Sequence, residues 1–156
     1  MRSAEIKPAV NQIEAHPYLQ QPDLLEWSKQ QGITVSAYSP SGNNIYNLPK
    51  AIEDPEIISI ANSVGKTPAQ VLIQWAVQRG TVVLPKSVTP SRISENFEDF
   101  ELAQDVMDRI NALDRNHRYN VPARLGVDVF GEHTEEFLQG ARRDWIAKQK
   151  ELNRTT

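Results

Sequence analysis

The stretch TPAQVLIQWAVQRGTVVLPKSVTPSRISEN, residues 67–96, holds two helix starts with a strand between them. Thr67-Pro68 places a capping residue before a proline, and Val71, Leu72, Trp75 and Ala76 follow at helical spacing. From Thr81 the run TVVLP is short, β-branched and closed by a proline, which predicts a strand. Thr89-Pro90 repeats the cap-plus-proline device and opens a helix predicted to run to about Asn96. A strand flanked by helices, with links too long for hairpins, belongs in a parallel sheet.

The same grammar continues on both sides. Towards the N-terminus, AVNQIE (residues 9–14) reads as a strand between Pro8 and His16-Pro17. Pro22-Asp23 opens an amphipathic helix that stops at Gly32, and ITVSAYSP holds a second strand over residues 34–39. SGNNIYNLPK is a loop on composition, and Asp54-Pro55 begins a helix ending at Gly65. After residue 96 a helix is predicted over residues 103–113, then an irregular loop over 115–133. A final amphipathic helix over 134–156 carries Phe137, Leu138, Ala141 and Trp145. Its Arg142, Arg143, Lys148 and Lys150 are interspersed with Glu135, Glu136, Asp144 and Glu151, the pattern of a docking helix with a solvated face. The expected organisation is one α/β domain over residues 1–156, with a core at 1–114.

Composition sets limits. The 156 residues are 39% hydrophobic and 24% charged with a formal charge of −3, as in an ordinary globular domain. The negative balance gives no general attraction to nucleic acid or an anionic membrane. With no cysteine there is no disulfide framework, zinc–thiolate site or thiol nucleophile. His117 and His133 lack companions at metal-ligand spacing, so no metal site is expected. MRSAEIKPAV lacks the apolar core of a signal peptide and no run is long enough to span a bilayer, so a cytoplasmic location is expected.

One corner concentrates donors for an anion. The chain leaves its third strand into Lys86 and Ser87 and reaches a helix start at Thr89-Pro90. Backbone N–H groups there favour an anion, Lys86 adds a charge, and Arg92 adds a planar fork suited to phosphate or to stacking on a base. Asn96 lies a turn further on, where it can meet the edge of a nucleobase. The alternative is a capped surface helix with incidental basic residues.

Three segments, VNQIEAHPYLQQPDLLEW, GITVSAYSPSG and residues 67–96, together resemble the C-terminal half of the aldo-keto reductases in order and spacing. The resemblance runs from about residue 7 to residue 96 and is looser to about residue 119. It is closest to NADP-dependent reductases of the fungal and animal aldehyde and xylose type. It implies a partial (β/α)8 barrel whose three strands are the sixth, seventh and eighth, with ligands at their C-terminal ends. It also implies that NADPH is the cofactor. Gln12 would then meet the nicotinamide carboxamide and Tyr38 stack on its ring. Ser39, Ser41 and Asn43 would lie along the pyrophosphate. Lys86, Ser87 and Arg92 would hold the 2′-phosphate, with Val88, Thr89, Glu95 and Asn96 around the adenosine. Ser41 departs from the pattern, since many members carry a bulky apolar residue there.

The family's proton donor is a tyrosine supported by lysine, aspartate and histidine from earlier strands. No such set is legible among Tyr18, Tyr38, Tyr46 and Tyr119, and no catalytic residue is assigned. The expectation is a truncated, NADPH-binding half of a carbonyl reductase that is inactive alone. The alternatives are a non-catalytic NADPH-binding module, or a half-barrel completed by a partner or by self-association through open sheet edges. His16 is read as fixing the turn after the first strand.

Overall fold

The computed structural model describes residues 4–43 and 48–152. Part of the predicted loop, including Tyr46, and the last four positions of the final predicted helix lie outside the described residues. The chain divides into two compact units, Met1–Tyr119 and Asn120–Thr156.

The first unit carries three parallel strands, β1 (Val10–Glu14), β2 (Thr34–Tyr38) and β3 (Val82–Val83), in the order β1-β2-β3. The register pairs Val10 with Thr34 through Glu14 with Tyr38, and Ser36 with Val82. β1 is followed by α1 (Pro22–Gln30). β2 is followed by a 3-10 turn (Ala51–Glu53), α2 (Pro55–Val64) and α3 (Pro68–Gln78). β3 leads into α4 (Pro90–Glu95) and α5 (Gln104–Asn111). The α/β alternation is therefore as expected.

β3 is shorter than the run TVVLP suggests, for a local reason. Thr81 donates from both its backbone N–H and its hydroxyl to the carbonyl of Ala76, at 3.0 and 2.6 Å, so it closes α3 rather than opening the strand. At the other end Pro85 has no N–H to give a ladder.

The main core lies among the helices. Ile57 and Ile60 of α2, Val71, Leu72 and Trp75 of α3, and Val106, Met107 and Ile110 of α5 form one buried cluster. Two caps fix the angles at which these helices enter it. The Asp54 side chain accepts the N–H of Glu56 at 2.8 Å, and Thr67 and Gln70 form a reciprocal capping box. Trp75 is fully buried and its indole N–H donates to Asn111 Oδ1 at 2.9 Å, joining α3 to α5.

The second unit holds a 3-10 turn (Pro122–Leu125) and α6 (Glu135–Leu152), joined by Val121, Ala123 and Leu138. Part of the predicted irregular loop is thus ordered by apolar contact. Asp128 organises the rest, accepting N–H groups of Phe130, Gly131 and His133 at 3.1, 2.8 and 3.0 Å. The N–H of His133 and those of Phe130, Glu132 and Gly131 hold its carboxyl below the usual carboxylate range. The bonds therefore stabilise the loop fully above the unfolded carboxyl value, roughly pH 3.9. They are lost as pH falls through the lower folded value. In an NMR titration the amides of Gly131 and His133 are expected to shift together below about pH 4. Asp128→Asn is expected to abolish that shift.

Among the described residues no helix is long and apolar enough to cross a membrane, and no group of three or more His, Asp or Glu is placed to hold a metal ion.

Candidate cofactor site at the strand ends

Parallel strands put their C-terminal ends on one side of the sheet, and two chain exits meet there. At the end of β2 the backbone turns sharply. Ser39 has φ 53°, its carbonyl accepts the N–H of Gly42 at 2.9 Å, and the carbonyl of Ser41 accepts the N–H of Ile52 at 3.2 Å. Gly42 has φ 70°, and a Cβ built there would lie 2.7 Å from the backbone nitrogen of Ala51. Both the left-handed backbone and the close approach require glycine. At the end of β3 the turn is closed by Ser87, whose hydroxyl accepts the N–H of Thr89 at 3.2 Å. Thr89 precedes α4, but its side chain makes no capping bond. The expected threonine cap is thus replaced by a serine turn two residues earlier.

Between the exits lies a cavity of about 650 Å³. Eight of the twelve residues read from sequence line it: Ser39, Ser41 and Asn43 from β2, Lys86 and Ser87 from β3, and Arg92, Glu95 and Asn96 on or beside α4. Its apolar wall comes from Ile52, Leu72, Ile73 and Leu84, none of which the sequence pattern marks as cavity lining. Helical spacing places Leu72 on the apolar face of its helix, and Leu84 falls inside the predicted strand TVVLP.

The other four lie apart from this cavity. Gln12 is exposed on β1, opposite Ser36. Tyr38 ends β2, half-buried and opposite Glu14. Val88 and Thr89 are exposed on the turn before α4.

Charge here is unbalanced. Among the described residues Lys86 and Arg92 make no ion pair, and both are exposed. α4 has only six residues, so the full macrodipole of a long helix is not available. The positive charge at this rim is therefore that of the two side chains, with little added by the helix.

At the end of β1 lies a buried polar cluster missed in the sequence. Glu14 Oε1 lies 2.9 Å from His16 Nε2 and accepts the backbone N–H of Tyr119 at 2.9 Å. Tyr18 donates its hydroxyl proton to Asp54, and the guanidinium of Arg115 lies 4.0 Å from the Tyr18 ring centre. Burial, then the bond to Asp54, pushes the Tyr18 phenol well up. Burial also raises Tyr38 and Tyr119.

The sequence profile of the aldo/keto reductase family matches residues 1–115. The chain belongs to the aldo/keto reductase family. This aldo/keto reductase chain is 42% identical over 140 residues to a probable NAD(P)H-dependent D-xylose reductase of Aspergillus oryzae, covering 83% of the chain and 44% of that relative. It is 46% identical over 133 residues to an NADPH-dependent D-xylose reductase of Meyerozyma guilliermondii, 78% of the chain and 42% of the relative. With the human aldo-keto reductase family 1 member A1 it shares 42% over 132 residues, 80% of the chain and 40% of the relative. The chain thus spans well under half the length of these curated relatives.

Proposed function

We propose that this chain forms the NADPH-holding corner of a carbonyl reductase. Its three parallel strands are read as the sixth to eighth of a (β/α)8 barrel. The observation that carries the proposal is the cavity at the ends of β2 and β3, with two cations on its lining that have no ion-pair partner among the described residues. A phosphate suits such a rim, because charge-assisted hydrogen bonds are the strong ones.

In this reading Lys86, Ser87 and Arg92 bind the 2′-phosphate, and Val88, Thr89, Glu95 and Asn96 surround the adenosine. Ser39, Ser41 and Asn43 follow the pyrophosphate, while Gln12 and Tyr38 receive the nicotinamide. Gly42 packs against Ala51 and the Ser41 carbonyl accepts the N–H of Ile52, so the segment after β2 is held to the 3-10 turn. Bound NADPH supplies hydride to the carbonyl carbon of an aldehyde or ketone. The residues of this chain bind and orient. A proton donor needs a lowered phenol pKa, whereas Tyr18, Tyr38 and Tyr119 are all shifted the other way. This supports a donor supplied from outside the described residues. β1 and β3 are both sheet edges, with Val10 and Val82 exposed, as fits pairing with further strands that carry it.

The test is a fluorescence titration of the chain with NADPH and with NADH. Saturable binding with NADPH preferred by about tenfold or more is expected, a difference of about 1.4 kcal/mol. Equal affinities, or no saturation with either, would sink the reading.

A further inference from the structure

The short helix that carries Arg92 has little of its own to hold it. α4 spans six residues and buries none of them, and Ile93 and Phe97 face solvent. Helices this short are not stable by themselves. Some other element must therefore set the position of Arg92, Glu95 and Asn96 relative to Lys86.

Among the described residues, apart from the adjoining Glu98 N–H, which donates to the Glu95 carbonyl at 3.2 Å, a single hydrogen bond reaches residues 87–97 from elsewhere in the chain. Gln70 Nε2 donates to the carbonyl of Glu95 at 3.2 Å. The same nitrogen donates to Glu98 Oε2 at 2.9 Å, just past the helix, where Lys66 Nζ also lies 2.9 Å away. Lys66 and Glu98 are substantially exposed, so their ion pair contributes little alone. Gln70 is buried, and its other end is fixed. Its Oε1 accepts from the N–H and the hydroxyl of Thr67 at 2.9 and 3.0 Å, and its own N–H donates to Thr67 Oγ1 at 3.2 Å. One amide thus caps α3 with its oxygen and holds α4 with its nitrogen.

We propose that Gln70 is a positioning residue for specificity, fixing α4 so that Arg92 and Lys86 converge on the same phosphate. This rests on the reading of the cavity as an NADPH site. The two jobs of the amide can be separated by Gln70→Glu. A glutamate still accepts from Thr67, as capping boxes commonly use either residue. It has no proton for the carbonyl of Glu95 and sets a second carboxylate beside Glu98. Lys66 can offset that repulsion but does not replace the lost bond to Glu95.

Gln70→Glu is expected to lower the urea midpoint less than Gln70→Met does, and to weaken NADH, which meets Glu95 and Asn96 but not Arg92, less than NADPH. NADPH affinity should fall about tenfold, the size of one lost charge-assisted contact. Gln70→Met, which removes the side-chain half of the capping box together with the clamp, should lower the urea midpoint as well. A second arm needs no cofactor. Amide hydrogen exchange at Ile93, Asn96 and Phe97 should quicken in Gln70→Glu while Leu72 and Trp75 in α3 stay protected. An NADPH:NADH ratio unchanged by Gln70→Glu would overturn the positioning role and leave the cavity reading standing. If the unsubstituted chain shows no preference, the cavity reading itself fails. Exchange then decides alone: faster exchange in α4 supports the clamp, and unchanged exchange overturns it.

Discussion

Replacing both Lys86 and Arg92 by alanine is expected to weaken NADPH about 100-fold and to leave NADH nearly unchanged. Each charge-assisted hydrogen bond to a phosphate contributes roughly 1.5–3 kcal/mol. Both side chains are exposed, so solvent and salt screen them and the lower end of the range applies. Two such contacts give about 3 kcal/mol, or about 100-fold. Each single substitution should cost about tenfold on the same scale. Arg92→Lys keeps the charge and loses the planar fork, so it should fall between the unsubstituted chain and Arg92→Ala. The preference should also shrink as salt rises, whereas NADH binding should change little. The measurement is the same fluorescence titration at two salt concentrations. Equal losses for both cofactors would place the cations on the pyrophosphate, or on the fold, and not on a 2′-phosphate.

The fate of residues 67–96 shows which signals a sequence carries. Thr67, Pro68 and the apolar positions of α3 act within one helix, so spacing alone places them. The Thr67…Gln70 pattern even announces a capping box. What spacing cannot announce is the other end of the Gln70 amide, whose partners lie 25 and 28 residues away. β3 is overestimated for a related reason. TVVLP has strand composition, but the donors of Thr81 are drawn away by the end of α3. Local propensity describes what a residue can do, and the neighbour brought by the fold decides what it does. Lys86, Ser87, Arg92 and Asn96 were legible as one group because they follow a single strand exit, whereas Ser39, Ser41 and Asn43 came only with the family resemblance. The cavity's apolar wall was not legible, because a cavity-lining leucine and a core leucine have the same periodicity. Gln12 and Tyr38 stand one step further off. Gln12 is the middle residue of β1 and Tyr38 ends β2, and the cavity between β2 and β3 does not include them.

Glu14 poses the other large test, because its role is wholly non-local. Its carboxylate is fully buried, as is His16, and it joins His16 Nε2 to the backbone N–H of Tyr119, which is 105 residues away in sequence. The Glu14 backbone carbonyl accepts the side-chain amide of Gln21 at 2.7 Å, and Glu14 lies in register with Tyr38. The Tyr119 ring stacks on His16 with centroids 5.2 Å apart. The carbonyl of Tyr18 accepts the N–H groups of Arg115 and His117, so residues 115–119 are tied down at both ends. His16 Nδ1 is already buried without a partner among the described residues. Glu14→Ala would strip the partner from Nε2 as well and leave the Tyr119 N–H unpaired. Each buried donor left unpaired costs about 1–3 kcal/mol, so a loss of about 2–6 kcal/mol of unfolding free energy is the expected result in urea. His16 Nε2 and the Tyr119 N–H both meet Oε1, so Glu14→Gln with its oxygen in that place keeps an acceptor for both and should cost less, about 1–3 kcal/mol for two bonds that lose their charge assistance. The ordering of the two variants carries the argument. If alanine and glutamine cost the same, and both less than about 1 kcal/mol, water satisfies these groups and the cluster does not hold the end of β1. If alanine costs far more, Glu14 binds the segment 115–119 to the strand that carries Gln12, and NADPH affinity should fall with it even though Glu14 does not line the cavity.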